Sequence, residues 1–339
     1  AVYSKSEVLI MGGVTVVIPH WNRHELLASV LADLRAQTYP IDEVLVVDNG
    51  STDGSPELAQ ALGARVVRLP SNRGFAAAVN QGIDECRSEL VAILNNDVSL
   101  SPEWLHRLVQ PLDDPAISFT TGKLLNTNHK GYLDGTFDLL SRAGCAWRAG
   151  NARSDGAPWS TPRRIFSAPL TASLFRVELF RAVGKLDERY ISYMEDVDLG
   201  LRCALNGRSG LYVPDAIAWH AGSATLGSRS PEVVRLIARN QVLLAAKHYP
   251  GKLVVRWFWA ILVGQLLWGV VALRHRALLA FLRGKMAGLA FWIPMRRQSS
   301  TRADPLRLRE VLEANERNIR ELQRQTGFDL YWRIYFRLT

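Results

Sequence analysis

The chain has 339 residues, 48% of them hydrophobic and 22% charged, and a formal net charge of +9. These ordinary globular proportions exclude a disordered, collagenous or disulfide-scaffold protein and a polytopic membrane protein, and the length allows one large domain or two. The three cysteines, Cys86, Cys145 and Cys203, are widely spaced and form no C-x-x-C pair, so neither a disulfide framework nor a structural zinc site is indicated and a reducing, cytosolic compartment fits best.

The charge is unevenly placed. Residues 252–339 hold 16 Lys and Arg against 6 Asp and Glu, whereas residues 1–251 hold 25 against 26. A near-neutral body with a basic tail points to an anionic partner, either nucleic acid or a membrane surface. Before Gly12 the only apolar run is Val8 to Met11, too short for a secretory core; residues 1–12 read as a leader or remnant, with Met11 a natural start.

From Val14 short β-branched runs alternate with helical patterns. Strands are predicted at Val14 to Ile18, Glu43 to Val47, Arg65 to Leu69 and Leu90 to Leu94, with helices at about Leu26 to Ala36, Pro56 to Leu62 and Phe75 to Cys86. This is the pattern of parallel βαβ units whose strands are buried on both faces. Residues 111–165 predict a mixture of strands and loops. An apolar run from Pro169 to Phe175, helices at about Val177 to Val183 and Val197 to Asn206, and strands at Leu211 to Val213 and Ala216 to His220 complete an α/β body.

Ligands of such sheets bind beyond the carboxyl ends of the strands. There the chain places Pro19, His20, Trp21 and Asn22, then Asp48 to Gly54, then Asn72, Arg73 and Gly74, then Asn95, Asn96 and Asp97. Such residues also form turns and helix caps, as Ser55-Pro56-Glu57 does, but four polar loops on one edge exceed what turn formation needs. Asp97 at the sheet rim suits a hard divalent cation that neutralises a diphosphate. Asp48, at the rim position of an earlier strand, can accept a hydrogen bond from a base or ribose. Glu195, Asp196 and Asp198 crowd the start of a helix. Dipole complementation accounts for one or two of them, and clustered acids can lift one pKa toward neutrality and supply a general base. His220 is either a further metal ligand or a structural histidine.

The segments V-I-P-H-W-N-R at 17–23, V-V-D-N-G-S-T-D-G-S at 46–55, N-R-G-F at 72–75, L-N-N-D-V at 94–98, Y-M-E-D-V-D-L-G-L-R at 193–202 and W-H-A-G-S at 219–223 together resemble a family 2 glycosyltransferase of the GT-A fold. The resemblance covers about residues 13–250 and is greatest to bacterial rhamnosyltransferases acting on lipid-linked sugars; Arg239 to Lys247 is similar to their post-catalytic helix. It implies a Rossmann-like mixed sheet and an inverting enzyme that uses a nucleotide-diphosphate sugar and a divalent cation, Mg or Mn. Pro19, His20 and Asn22 would line the base, Asp48 would hold the base or ribose, and Asn72 and Gly74 would sit by the nucleotide. Asp97 matches the last acid of a D-x-D motif whose first acid is here Asn95, with Asn96 between them on the nucleotide-sugar side. Asp196 matches the catalytic base, Glu195 its neighbour at the acceptor, and His220 a metal ligand. The implied donor is dTDP-rhamnose, with UDP- or GDP-sugars as the alternative, and the implied acceptor a polyprenyl-diphosphate-linked sugar of the cell envelope.

Residues 251–339 read as a helical, membrane-associating extension. From Lys252 to Arg297 there are eight Lys or Arg and no acid, interleaved with Trp257, Trp259, Trp268 and Trp292. Trp257 to Leu273 is at the short limit for spanning, and Ala277 to Ile293 suits an interfacial helix that turns Arg283 and Lys285 toward anionic headgroups. A helical extension packed on the body is the plainer alternative. The aliphatic dilution of the basic residues argues against nucleic acid. Residues 304–339 predict one or two solvated helices. The expected location is the cytoplasmic face of the cell membrane. A nucleotidyltransferase would need a Gly-rich basic loop that residues 20–23 do not supply; a non-catalytic membrane-binding module is the other rival.

Overall fold

The computed structural model describes residues 13–220, 230–298 and 303–339; residues 1–12 and 221–223, the leader and the end of the last segment above, lie outside them. β1 (Val14–His20), α1 (His24–Arg35), β2 (Glu43–Asp48), α2 (Ser55–Ala61), β3 (Arg65–Arg68), α3 (Phe75–Glu85) and β4 (Leu90–Leu94) follow the predicted order. All four strands are parallel, in the order β4-β1-β2-β3. Val17, Leu45 and Ile93 are buried where three strands meet, as β-branched and aliphatic residues favour. β3 is an edge strand, and its Val66 and Val67 are only half-buried. Ser55 is the first residue of α2 rather than its cap; Gly54, at φ 77°, holds that place, and Asp53 Oδ1 accepts from Ser55 N at 3.2 Å.

The middle of the chain completes the sheet. It supplies β5 (Val98–Leu100), α4 (Trp104–Val109), β6 (Ile117–Asn126), β7 (Leu133–Gly135), β8 (Asp138–Leu140), β9 (Ala146–Arg148), β10 (Arg163–Ile165), β11 (Ala172–Arg176), α5 (Val177–Val183), α6 (Glu195–Leu205) and β12 (Ser209–His220). β11 pairs antiparallel with β4 and β6, β6 runs parallel to β12, and β10 and β5 flank β12. The two strands expected at 211–213 and 216–220 are one, β12, with a register shift between Tyr212 and Ile217. β8 and β9 form a separate hairpin.

Among the described residues seven helices follow: α7 (Pro231–His248), α8 (Gly251–Arg256), α9 (Phe258–Arg274), α10 (Leu278–Ala290), α11 (Trp292–Gln298), α12 (Pro305–Thr326) and α13 (Leu330–Leu338). Ala260 and Val263 of α9, Ile319 of α12 and Tyr335 of α13 join the same apolar core as Val17 and Val91. The last two helices are therefore not simply solvated. Leu308, Leu312, Ile319 and Leu322 form a buried stripe that their charged neighbours hide, and buried Glu316 accepts from Arg142 Nε at 2.8 Å and Tyr335 Oη at 2.7 Å.

α10 lies on α7 through glycine. A Cβ on Gly284 would stand 2.3 Å from the Arg235 carbonyl, and one on Gly288 2.7 Å from Val242 Cβ. Lys285 shares this inner face and donates to Gln241 Oε1 at 2.7 Å, so it points to the body and not to headgroups as expected; Arg283 is exposed. Gln265, the polar residue inside the apolar run of α9, likewise turns inward and donates to the Ala143 carbonyl at 2.9 Å. Outward, Leu279, Leu282, Met286, Leu289 and Ile293 make one exposed stripe, and Trp259, Leu266, Val270 and Leu273 make another. Among the described residues no single helix is long and apolar enough to cross a membrane; α10 and α11 pass that test only as a pair, and they bend by 47°.

Candidate active site

The ends of β1, β2 and β4 bring the polar loops onto one edge. Asn22 Oδ1 accepts from Thr52 N at 3.0 Å and Asn22 N donates to Ser51 Oγ at 2.8 Å, which ties the loop after β1 to the loop after β2. Buried Asp48, whose register partner is His20 at the end of β1, accepts from Ser51 N. Asn49, whose sequence neighbours give no hint of a special role, is the clamp of this edge. Its Nδ2 donates to Asn72 Oδ1 and to the Gly74 carbonyl, each at 3.1 Å, and its Oδ1 accepts from Arg73 N at 2.9 Å. Gly74 adopts φ 89°, and a Cβ there would stand 2.7 Å from the Ile191 carbonyl. The loop at 72–74 is thus pressed against the segment that leads into α6. Pro19, His20, Asn22, Asp48, Asn72 and Gly74 share this edge, and the side-chain oxygens of Asn22 and Asn72 are spent on shaping it.

His20 is buried, and that burial lowers its imidazole to about 4, so the ring is neutral. Asn96 Nδ2 lies 2.8 Å from His20 Nδ1, which makes Nδ1 the acceptor and leaves the ring proton on Nε2. His20 Nε2 and Asn95 Oδ1 are both buried without a hydrogen-bond partner among the described residues. Two unspent polar groups at one sheet edge call for a polar ligand.

Asp97 follows β4 and His220 ends β12; the pairing of β5 with β12 sets His220 opposite Val98. His220 Nε2 stands 3.3 Å from Asp97 Oδ1, and on the other side of the ring Nδ1 stands 2.8 Å from Asp134 Oδ2. Burial works against the charged ring, but the two carboxylates outweigh it and raise the imidazole to about 9. The donor types suit a divalent cation: an Asp97 carboxylate oxygen and His220 Nε2, once a cation takes the place of that nitrogen's proton, are ligands for Mg or Mn, and a carboxylate on the far nitrogen is how a ligating histidine is oriented. Among the described residues no group of three or more His, Cys, Asp or Glu side chains is arranged to hold a metal, so a cation here needs oxygens from its ligand and water as well.

α6 begins at Glu195, two residues earlier than predicted, so the acid cluster lies in its first turn. Before it, Ile191, Tyr193 and Met194 all adopt positive φ, between 67° and 72°. Such strain persists only where surroundings impose it. Asn240 of α7, fully buried, does so: its Nδ2 lies 2.9 Å from the Tyr190 carbonyl, 2.9 Å from that of Ser192 and 2.7 Å from that of Tyr193. The three acids then part company. Asp198 is structural, the one of the three acids that the resemblance gave no catalytic role. It accepts from Arg202, Lys247 and His248 at 2.7 to 2.9 Å, and these partners hold its carboxyl well below the usual range despite burial. Glu195 and Asp196 are shifted the other way. Burial raises both, with the charge of Asp196 adding to it at Glu195 and that of Asp138 at Asp196, so each holds its proton above the ordinary carboxylate range. Asp196 Oδ2 accepts from Arg148 Nη2 at 3.1 Å, and Arg148 forks onto both oxygens of Asp138 at 3.1 and 3.0 Å. A Cβ on Gly135 would stand 2.3 Å from Arg148 Cγ, so the glycine clears the path of the side chain. Arg148 and Asp134 carried no sequence signal, since both fall in the irregular stretch.

Residues 15–182 match the family model described as Glycosyl transferase family 2. Among curated proteins the chain is 32% identical over 213 residues to the O-antigen biosynthesis protein RfbC of Myxococcus xanthus, covering 57% of this chain and 16% of that one. It is 26% identical over 230 residues to the poly-beta-1,6-N-acetyl-D-glucosamine synthase of Staphylococcus aureus, covering 66% and 53%. The chain thus spans less than two thirds of either relative. Among solved structures it is similar to GalNAc-T7 with UDP, GalNAc and Mn2+, at TM-score 0.60 and 14% identity over 77% of this chain and 51% of that one. It is also similar to the mannosyltransferase PcManGT of Pyrobaculum calidifontis in complex with GDP-Man and Mn2+, at TM-score 0.52 and 19% identity over 91% and 88%. The mixed sheet is that of GT-A glycosyltransferases.

Proposed function

We propose that this chain, whose residues 15–182 match the Glycosyl transferase family 2 model, is an inverting, metal-dependent transferase that moves L-rhamnose from dTDP-rhamnose onto a polyprenyl-diphosphate-linked sugar during cell-envelope polysaccharide synthesis. The observation that carries the mechanism is the state of Asp196: a carboxylate at the first turn of α6, 14% exposed, kept above its usual range by burial and oriented by Arg148. A base of that kind accepts a proton near neutral pH. Asp196 takes the proton of the acceptor hydroxyl as its oxygen bonds to the anomeric carbon; the bond from that carbon to the diphosphate breaks, and its electron pair leaves with the nucleoside diphosphate. One direct displacement inverts the centre and requires no enzymic nucleophile. Glu195, beside the base, holds its proton and can donate a hydrogen bond to the acceptor.

Asp97 and His220 would hold the cation, with Asn95, two residues before Asp97, as a further oxygen donor, and the cation would neutralise charge on the departing diphosphate. Asp134 fixes the His220 ring so that Nε2 faces Asp97. Neutral His20 offers its Nε2 proton to a nucleotide oxygen, and Asp48 accepts from the base or ribose. The rhamnose assignment rests on the segments quoted at 17–23 to 219–223; the likeness to an O-antigen biosynthesis protein supports an envelope-polysaccharide role. The two exposed apolar stripes of α9 and α10, flanked by Arg256, Arg274, Arg276 and Arg283, support a chain lying on the cytoplasmic face of an anionic membrane.

A thermal-shift screen with dTDP, UDP and GDP and their sugars, each with and without Mg or Mn, tests the reading, because a ligand of the native state raises the midpoint by mass action. A metal-dependent response to dTDP and dTDP-rhamnose is expected. A larger UDP or GDP response would keep the mechanism and change the sugar, and no response to any nucleotide would overturn the reading.

A further inference from the structure

Tyr190, Ile191 and Ser192 form a γ-turn. Ile191 sits at φ 67° and ψ −68°, and Ser192 N donates across it to the Tyr190 carbonyl at 2.8 Å. This is the rare and strained form of that turn, and a β-branched side chain at positive φ strains it further. Packing does not offset the strain. The Ile191 side chain joins none of the apolar cores and is 42% exposed, the only exposed Val, Leu, Ile or Met among described residues 13–220. The turn is held from both sides. Asn240 grips the carbonyls of Tyr190 and Ser192, while Ala76 N donates to the Ile191 carbonyl at 3.1 Å and Phe75 N to Ser192 Oγ at 3.3 Å, which ties the turn to the start of α3. Strain imposed in this way is characteristic of ligand clamps.

The position of Ile191 identifies the ligand. A Cβ on Gly74 would stand 2.7 Å from Ile191 Cγ2, so the side chain lies against the 72–74 loop of the nucleotide edge, and Glu195 and Asp196 follow four and five residues later. In a direct displacement the reacting sugar lies between the diphosphate and the base. On the transferase reading above, which this inference rests on, Ile191 therefore borders the donor sugar. An aliphatic side chain there is a poor neighbour for a hydroxyl, which would lose its hydrogen bonds to water, and a good one for a methyl group. We propose that Ile191 determines donor specificity by packing on a methyl group of the donor sugar, the C6 methyl of a 6-deoxyhexose, and so disfavours a sugar with a hydroxymethyl group at that carbon. The methyl of an acetamido sugar offers the same chemistry, and the experiment separates the two.

The experiment is calorimetric titration of the full chain, in Mn, with dTDP, with dTDP-L-rhamnose and its 6-hydroxy counterpart dTDP-L-mannose, and with UDP-glucose and UDP-GlcNAc. The wild-type chain is expected to bind dTDP-L-rhamnose roughly tenfold more tightly than dTDP-L-mannose. Ile191→Ser and Ile191→Gly bring the two to near equality while dTDP alone binds as in the wild type, and Ile191→Val, which keeps the branched wall, retains the preference. Ile191→Gly also keeps or raises the thermal midpoint, because glycine adopts this φ without strain; a purely structural isoleucine would instead lower the midpoint on replacement and leave the sugar preference unmoved. A wild type with neither methyl preference, a preference that survives Ile191→Ser and Ile191→Gly, or a loss of dTDP affinity matching that for dTDP-L-rhamnose would overturn the proposal. If the preference that Ile191→Ser and Ile191→Gly abolish is that for UDP-GlcNAc over UDP-glucose, the rhamnose reading fails and the methyl contact of Ile191 stands.

Discussion

Arg148 Nη2 stands 3.1 Å from Asp196 Oδ2, and this one contact joins the β8–β9 hairpin to the first turn of α6. The guanidinium opposes the burial that raises Asp196 and aims one of its oxygens. Removing that charge leaves burial and Asp138 unopposed, so the native carboxyl rises further. In Arg148→Gln the acidic limb of kcat/KM is expected to move to higher pH, with lower turnover at pH 7. In the wild type that limb already lies above the ordinary aspartate value of about 3.9. A pH–rate profile checks both, and an unmoved limb would remove Arg148 from this role.

Glu195 has its own signature in stability. Its native carboxyl is raised by burial first and by Asp196 second, so as pH rises the unfolded chain releases its proton earlier than the native one. Stability is full below the unfolded value of about 4.3 and is lost as pH climbs through the native value. Glu195→Gln has no proton to lose. Its midpoint is expected to equal that of the wild type near pH 4 and to exceed it near pH 8, by about 2–4 °C for each kcal/mol relieved. Equal midpoints at both pH values would contradict the raised carboxyl.

Asn240→Ala withdraws the amide that grips three carbonyls of the 190–193 segment. Loss of buried hydrogen bonds costs about 1–3 kcal/mol for each group left unsatisfied. Relaxation of the positive-φ residues is expected to displace α6 and lower kcat, with nucleotide affinity unchanged. Steady-state kinetics beside nucleotide titration separates the two; a fall in KM-linked binding alone would point elsewhere.

For the cation, Asp97→Ala is expected to abolish the difference in nucleotide affinity between Mn and EDTA. Asp134→Asn, which leaves both ligands in place but loosens the imidazole, lowers Mn affinity by roughly 10- to 100-fold. Titration of each variant with dTDP is the measurement, and an unchanged Mn dependence in Asp97→Ala would dismiss the site.

Leu266 and Met286 are 61% and 70% exposed on the two apolar stripes. Leu266→Glu with Met286→Glu is expected to release the chain from vesicles rich in phosphatidylglycerol and to leave its thermal midpoint within a few degrees of the wild type, because neither side chain packs on the body. Undiminished sedimentation with vesicles would refute the interfacial reading.

The βαβ half of the fold was legible because its strands are short apolar runs bounded by turn residues, a pattern set by local chemistry and read locally. The same holds for the rim residues Asp48, Asn95 and Asp97 and for the acid pair at 195–196, each of which sits next to the strand or helix it terminates. The middle stretch was not legible. β7, β8, β9 and β10 are each three residues long, too short for alternation to show, and their side chains gain meaning only from partners far along the chain. α12 was misread as solvated because its buried positions are diluted by charges that face outward.

Sequence alone, then, determined which residue types stand at the ends of the strands and where carboxylates are crowded, since those are properties of neighbours in the chain. Only the tertiary structure decided which of the three acids is structural, which cation orients Asp196 and which carboxylate sets the ring of His220. Those choices follow from burial and from charges brought within about 3 Å by β12, α7 and the β8–β9 hairpin, and in a medium of low dielectric such neighbours outweigh anything that lies next to a residue in sequence.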